Sequence, residues 1–329
     1  MDLLRPGIGY RWVVTDLPKP RGPLSDTVLG ALRDLPSVAV PEIEVSPESA
    51  DDAALTLWVL HELSYGGFDG VADEAEQDPE LFRLRGVLER RLEDHLRARW
   101  PGPPDEDLET GFFDWVAAHD GPSLARFVQT DATRDQVLDL VRVRSVYHLK
   151  EADPTSWVIP RLPAASKAAL VELQYDEYGV GDPARLHAHL FARGMEASGL
   201  RPEPGAYVDE APVEILEQNN VLSMFGLQRR LRGAAVGHLA AFEATSSMPS
   251  RRMAQGLERL GLPGELIGYY TEHVEADAVH EQVALRDVCV ALVREEPALE
   301  ADVWFGAWAC LDLEDRTARR LLGEWGVPT

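Results

Sequence analysis

The chain has 329 residues, 45% hydrophobic and 27% charged, the composition of a packed protein and not of a disordered one. Its 32 basic residues stand against 56 acidic ones, and the net charge of −24 repels phosphate backbones and anionic lipid, so neither nucleic acid nor membrane is an expected partner. Two cysteines, Cys289 and Cys310, are too few for a disulfide framework or a four-cysteine zinc site. Met1–Tyr10 lacks the apolar stretch of a secretory leader, and no run approaches the roughly 20 apolar residues of a membrane span. A cytoplasmic location is expected.

Proline recurs through the first 48 residues (Pro6, Pro18, Pro20, Pro23, Pro36, Pro41, Pro47), which predicts irregular chain with one short helix, Ser25 to Arg33, capped by Ser25. A strong helix starts near Ser49, places Leu55, Trp58, Leu60 and Leu63 at helical spacing, and stops at Gly66-Gly67. The next covers Pro79 to Trp100, with Leu81, Leu84, Leu88, Leu92 and Leu96 on one stripe that must be buried. The proline-rich and acidic stretch 100–107 breaks it. Helical patterns then follow at about 109–118, 121–129, 132–151, 163–178, 183–199, 209–246, 249–260, 263–296 and 298–323. Strand-type alternation is nearly absent, and an all-α bundle is expected. Residues 126–329 read as its core, and 1–125 as an irregular arm and helical extension packed on that core.

Three sets of residues can carry chemistry. His273, Asp277 and His280 stand at i, i+4 and i+7, within roughly 60° of one helix face. Two imidazoles and a carboxylate on one stripe suit iron, manganese or zinc, although Asp277 also serves as a plain helix-face partner for the histidines. Glu177 and His187 flank an interruption made by Gly179, Gly181 and Pro183, where Asp182 can cap a new helix; an ordinary helix–turn–helix explains them equally. Glu243 lies in a stretch apolar all round, and its buried carboxylate needs a partner: a metal ion, or else Arg251, Arg252 or His238. Cys289 and Cys310 fall on apolar helical stretches and read as packed thiols. His61 and Glu62 read as capping or salt-linked residues, with pocket lining as the alternative.

A glutamate and then a histidine, a glutamate on a later apolar helix, and the His-x3-Asp-x2-His triplet together resemble the haem-oxygenase-like diiron oxidases and oxygenases. Leu60-His61-Glu62-Leu63-Ser64-Tyr65-Gly66-Gly67-Phe68 and Lys150-Glu151-Ala152-Asp153-Pro154 are similar to the bacterial branch described as iron-containing redox enzymes. The resemblance covers about Leu55 to Asp287. It implies an all-α, haem-oxygenase-like fold that binds two irons in place of haem, with Glu177, His187, Glu243, His273, Asp277 and His280 as ligands. N-oxygenase relatives imply Glu151 as a seventh. Two ferrous ions bring four positive charges; Glu177, Glu243 and Asp277 cancel three, and Glu151 the fourth.

The resemblance further implies an oxidoreductase that uses dioxygen as co-substrate on a small metabolite, an amino acid or amino-acid derivative, in natural-product biosynthesis. N-oxygenation and aliphatic C–H oxidation are both open. A homodimer and an external electron donor are compatible with it. Arg251 and Arg252 are candidate anchors for a substrate carboxylate, with surface solvation as the alternative. A non-catalytic helical binding protein, and a cofactorless or haem-binding relative of the same fold, are the competing readings.

Overall fold

Asp52 shows how local chemistry and tertiary packing set the helix ends. It accepts from the amides of Leu24 (3.1 Å) and Ser25 (2.8 Å), so the first helix, α1 (Pro23–Asp34), begins two residues before the expected Ser25 cap. Asp52 itself belongs to α2 (Ala50–Glu62), which Ser49 caps by accepting from the Asp52 amide at 3.2 Å. These distances come from a computed structural model that describes residues 16–35 and 40–328, except the side chains of 275–279. The leader reading of Met1–Tyr10 and the side chain of Asp277 lie outside the described residues.

No strand occurs among the described residues, and the chain is all-α. Asp78 caps α3 (Pro79–Arg99), which buries Leu81, Leu84, Leu88 and Leu96 and half-buries Leu92. There follow α4 (Leu108–Ala117), α5 (Leu124–Thr130), α6 (Arg134–His148), α7 (Ala164–Glu177), α8 (His187–Ala197), α9 (Val213–Leu227), α10 (Arg232–Arg259), α11 (Gly264–Gln282) and α12 (Glu300–Glu324). No helix of the described residues is long and apolar enough to cross a membrane.

Four expected boundaries differ. The pattern over 209–246 splits at Gln228, whose φ/ψ of −96/108 is extended, so α9 and α10 are separate helices. Conversely, the expected break between 246 and 249 is absent, and α10 runs straight through Pro249. That proline removes the amide that would bond the Thr245 carbonyl. Packing outweighs this loss: Gly237 of α10 lies against the Val303 carbonyl of α12, and Gly306 of α12 against the Ala234 carbonyl, leaving no room for a Cβ at either. The helix expected from Pro183 starts at His187, after two 3-10 turns. The helix expected over 263–296 is α11 followed by a π-helical stretch, Val283–Val290, and a last α-helical segment, Ala291–Glu295.

Two apolar clusters organise the interior. One joins α1, α2, α5, α6 and α8; the other joins α4 and α7 with the π-helical stretch; α3, α9 and α12 contribute to both. Several elements cross from one to the other. On α10, Ala234–Ala241 belong to the second cluster and Met253 and Leu257 to the first; on α11, Leu266, Tyr269 and Tyr270 belong to the first, while Ala284 and Leu285 just beyond it belong to the second. Glu243, His273 and His280 fall in the intervals. Glu151 lies between Leu149 of the first and Val158 of the second, and Glu177 and His187 lie between Leu173 and Phe191. The acids and imidazoles singled out in the sequence thus occupy the chain segments that join the two clusters.

Candidate metal centre

Glu177 ends α7 and His187 opens α8, so the segment between them sets their approach. Gly179 has φ +70°, and a Cβ there would lie 2.6 Å from the Arg185 carbonyl carbon, so only glycine lets the chain double back this tightly. Val180 follows at φ 57°, and Gly181 at φ +82°. Asp182 accepts from the Ala184 amide at 2.9 Å, capping a 3-10 turn where a longer helix was expected. As a result His187 Nδ1 comes within 3.0 Å of Glu177 Oε2.

Six of the seven sequence candidates have described side chains, and all six converge. Glu151, His187 and His273 form one trio and Glu177, Glu243 and His280 another; in each, one ligand atom per residue lies within 4.8 Å of the others. The two trios touch through the Glu177–His187 approach. All six residues are between 2% and 9% exposed, so these charges sit where an uncompensated carboxylate is expensive.

The histidines are oriented by groups behind them. His273 Nδ1 donates to the Tyr269 carbonyl at 2.8 Å, which turns Nε2 toward Glu151 Oε1, 3.7 Å away. His280 Nε2 lies 3.3 Å from Asp176 Oδ2, and its Nδ1 faces Glu177 Oε1 at 3.5 Å and Glu243 Oε2 at 3.7 Å. A hydrogen bond from one ring nitrogen fixes the tautomer that offers the other as a lone pair. Glu151 Oε2 accepts from the Tyr269 hydroxyl at 2.8 Å and lies 3.0 Å from His148 Nδ1.

Electrostatics follow from this crowding. Burial pulls His280 down, but the hydrogen bond and charge of Glu243, with Glu177, override it and carry the imidazole up to about 9. His187 is likewise raised by Glu177 against its burial. Burial pushes Glu151 up, yet His148 and His273 hold it well below the usual carboxylate range. Without a metal, a protonated His280 offsets part of the carboxylate charge.

Two buried atoms test whether a cation fits better. Glu151 Oε1 and His187 Nδ1 have no hydrogen-bond partner, although each faces another donor of the set. Their lone pairs, with three carboxylates and three imidazoles in reach, are the hard and borderline ligands of a first-row divalent metal. The residues fit the group.

The profile of the iron-containing redox enzyme family matches residues 138–315, more than half of the chain and the whole span that carries these donors. The chain belongs to the iron-containing redox enzyme family. The all-α architecture agrees with the haem-oxygenase-like fold of that family. No curated protein matches the chain.

Other candidates take structural places. Arg251 is exposed and Arg252 half-buried on α10. His61 is fully buried, its Nε2 3.0 Å from Glu89 Oε1, and burial lowers the imidazole, so the contact is a hydrogen bond and not the expected salt link. Cys289 and Cys310 are buried, and burial raises both thiols. The sequence reading missed His148 and Tyr269. Both were within reach of helix geometry, one standing three residues before Glu151 and the other four before His273.

Proposed function

We propose that this family member is a non-haem diiron oxidase or oxygenase that uses dioxygen on a small metabolite, an amino acid or amino-acid derivative, in natural-product biosynthesis. The observation that supports this most is the convergence of six buried donors from five separate segments into two adjacent trios. Glu151, His187 and His273 would hold one iron and Glu177, Glu243 and His280 the other, with Asp277 as a further carboxylate. Two irons held there would supply electrons to dioxygen, and dioxygen would be the oxidant of the substrate, at nitrogen or at an aliphatic carbon.

The chain's own part is positional. Tyr269 and Asp176 keep His273 and His280 in the tautomers that present a lone pair inward. The apolar residues of both clusters that flank the donors keep bulk water from the centre. Four carboxylates would neutralise two ferrous ions, so the loaded centre carries little net charge in its buried setting. Residues 126–329 form the catalytic core in this reading, and 1–125 an extension packed on it. A cytoplasmic setting and an external electron donor belong to the same reading.

The test is oxygen uptake by ferrous-loaded protein across a panel of amino acids. At least one accelerates uptake and yields an oxidised product, and His273→Ala abolishes the acceleration. Iron-loaded protein that no member of the panel stimulates contradicts the amino-acid assignment; stimulation that survives in His273→Ala contradicts the site.

A further inference from the structure

Two neighbouring cavities share Leu149, Lys150 and Asp153 in their walls, and the donors line one of them. The inner one, about 170 Å³, is walled by Glu151, Glu177 and His187 together with Tyr178, Lys150 and Asp153. The outer one, about 290 Å³, is walled by Trp58, Glu62 and Tyr65 and again by Lys150 and Asp153. Lys150 and Asp153 therefore line both, between the outer space and the one that the donors wall. Neither Arg251 nor Arg252 lines either one.

The outer cavity has more negative than positive charge. Lys150 pairs with Glu62, and its Nζ lies 4.6 Å from the centre of the Tyr65 ring and 5.8 Å from that of Trp58. Asp153 accepts from the Tyr178 hydroxyl at 2.7 Å and forms no ion pair among the described residues. Two carboxylates and a single ammonium, which pairs with only one of them, thus line a space walled by aromatic faces. An anionic ligand would meet Glu62 and Asp153 with only Lys150 in its favour. A cationic one supplies the missing charge, and the rings that already hold the Lys150 ammonium hold a second cation by the same quadrupole attraction.

We infer that the outer cavity is a substrate subsite for a cationic group, a primary ammonium or a guanidinium, held by Asp153 and Glu62 against Tyr65 and Trp58. The rest of the molecule extends through the inner cavity to Glu151, Glu177 and His187. This rests on the reading of those donors as a metal centre.

The test is calorimetric titration of anaerobic, ferrous-loaded protein with hexylamine, hexanoate and hexanol, whose chains match and whose charges differ. At physiological ionic strength the exposed acids of the surface are largely screened. Hexylamine binds about tenfold or more tightly than either of the others, and Asp153→Asn removes that preference. Lys150→Met, which takes away the resident cation, strengthens amine binding. The inference is overturned if hexylamine shows no preference, or if the preference survives in Asp153→Asn. Iron content measured on the same samples separates the two claims: wild-type protein that takes up no iron contradicts the metal centre, whereas iron-replete protein indifferent to the amine contradicts only the subsite.

Discussion

Tyr269 holds two members of one donor trio at once. Its hydroxyl donates to Glu151 Oε2 at 2.8 Å, and its carbonyl accepts from His273 Nδ1 at 2.8 Å. The carboxylate oxygen left over, Glu151 Oε1, is the buried atom without a hydrogen-bond partner, and it faces His273 Nε2. One residue thereby fixes both the acid and the imidazole, with Glu151 Oε1 turned toward His273 Nε2.

Tyr269→Phe separates those two roles, because the backbone carbonyl survives. The trio of Glu151, His187 and His273 should lose about 10–100-fold in metal affinity, the usual cost of removing a group that orients a ligand. The other trio should keep its affinity. Titration of ferrous ion against a chelator resolves the two constants. If both stay at wild-type values, the hydroxyl does not orient a ligand.

Gly179→Ala should cost about 1–3 kcal/mol and also lower iron loading, since the strained turn brings Glu177 to His187. Gly199→Ala is the matched control: its φ is +79°, but a Cβ there meets nothing within 4 Å. It should cost about 1 kcal/mol from backbone strain alone and leave iron content unchanged. Urea unfolding and metal analysis check both. Equal iron loss in the two variants, or none in Gly179→Ala, contradicts the role given to this turn.

His238, buried on α10 with Nε2 lacking a hydrogen-bond partner, gives a pH dependence of stability. Burial, only partly opposed by Glu314, lowers its pKa from 6.5 to about 4. Above pH 6.5 the ring is neutral both folded and unfolded and contributes nothing. Between pH 6.5 and about 4 only the unfolded chain takes up the proton, so stability falls as pH falls, by up to about 3 kcal/mol from this group. His238→Gln should flatten that part of the profile relative to wild type in urea unfolding from pH 4 to 7. An unchanged slope means that the ring protonates as readily folded as unfolded.

The sequence made the all-α class legible because helical periodicity is a local signal, and the leucine stripe of α3 is a clear case. The spacing of His273 and His280 was legible for the same reason. What sequence could not reveal depends on contacts distant in the chain. Pro249 reads as a breaker, yet α10 continues through it because Gly237 and Gly306 let α10 and α12 touch backbone to backbone. Gln228 has no breaker's signature, yet there the chain turns extended. The π-helical stretch after α11 has the apolar pattern of ordinary helix. Glu151 took its candidacy from the family resemblance alone, since its meeting with His187 and His273 requires the turn after α6 to fold against α8 and α11.

Whether the two trios form one two-metal centre is decided by anaerobic titration of metal-free protein with ferrous ion, followed by Mössbauer spectroscopy of the oxidised product. A two-metal centre gives a breakpoint at two irons per chain, an antiferromagnetically coupled pair after exposure to oxygen, and a breakpoint at one or fewer for both His187→Ala and His280→Ala. Wild-type protein that saturates with one uncoupled iron, or variants that still take up two, would contradict it.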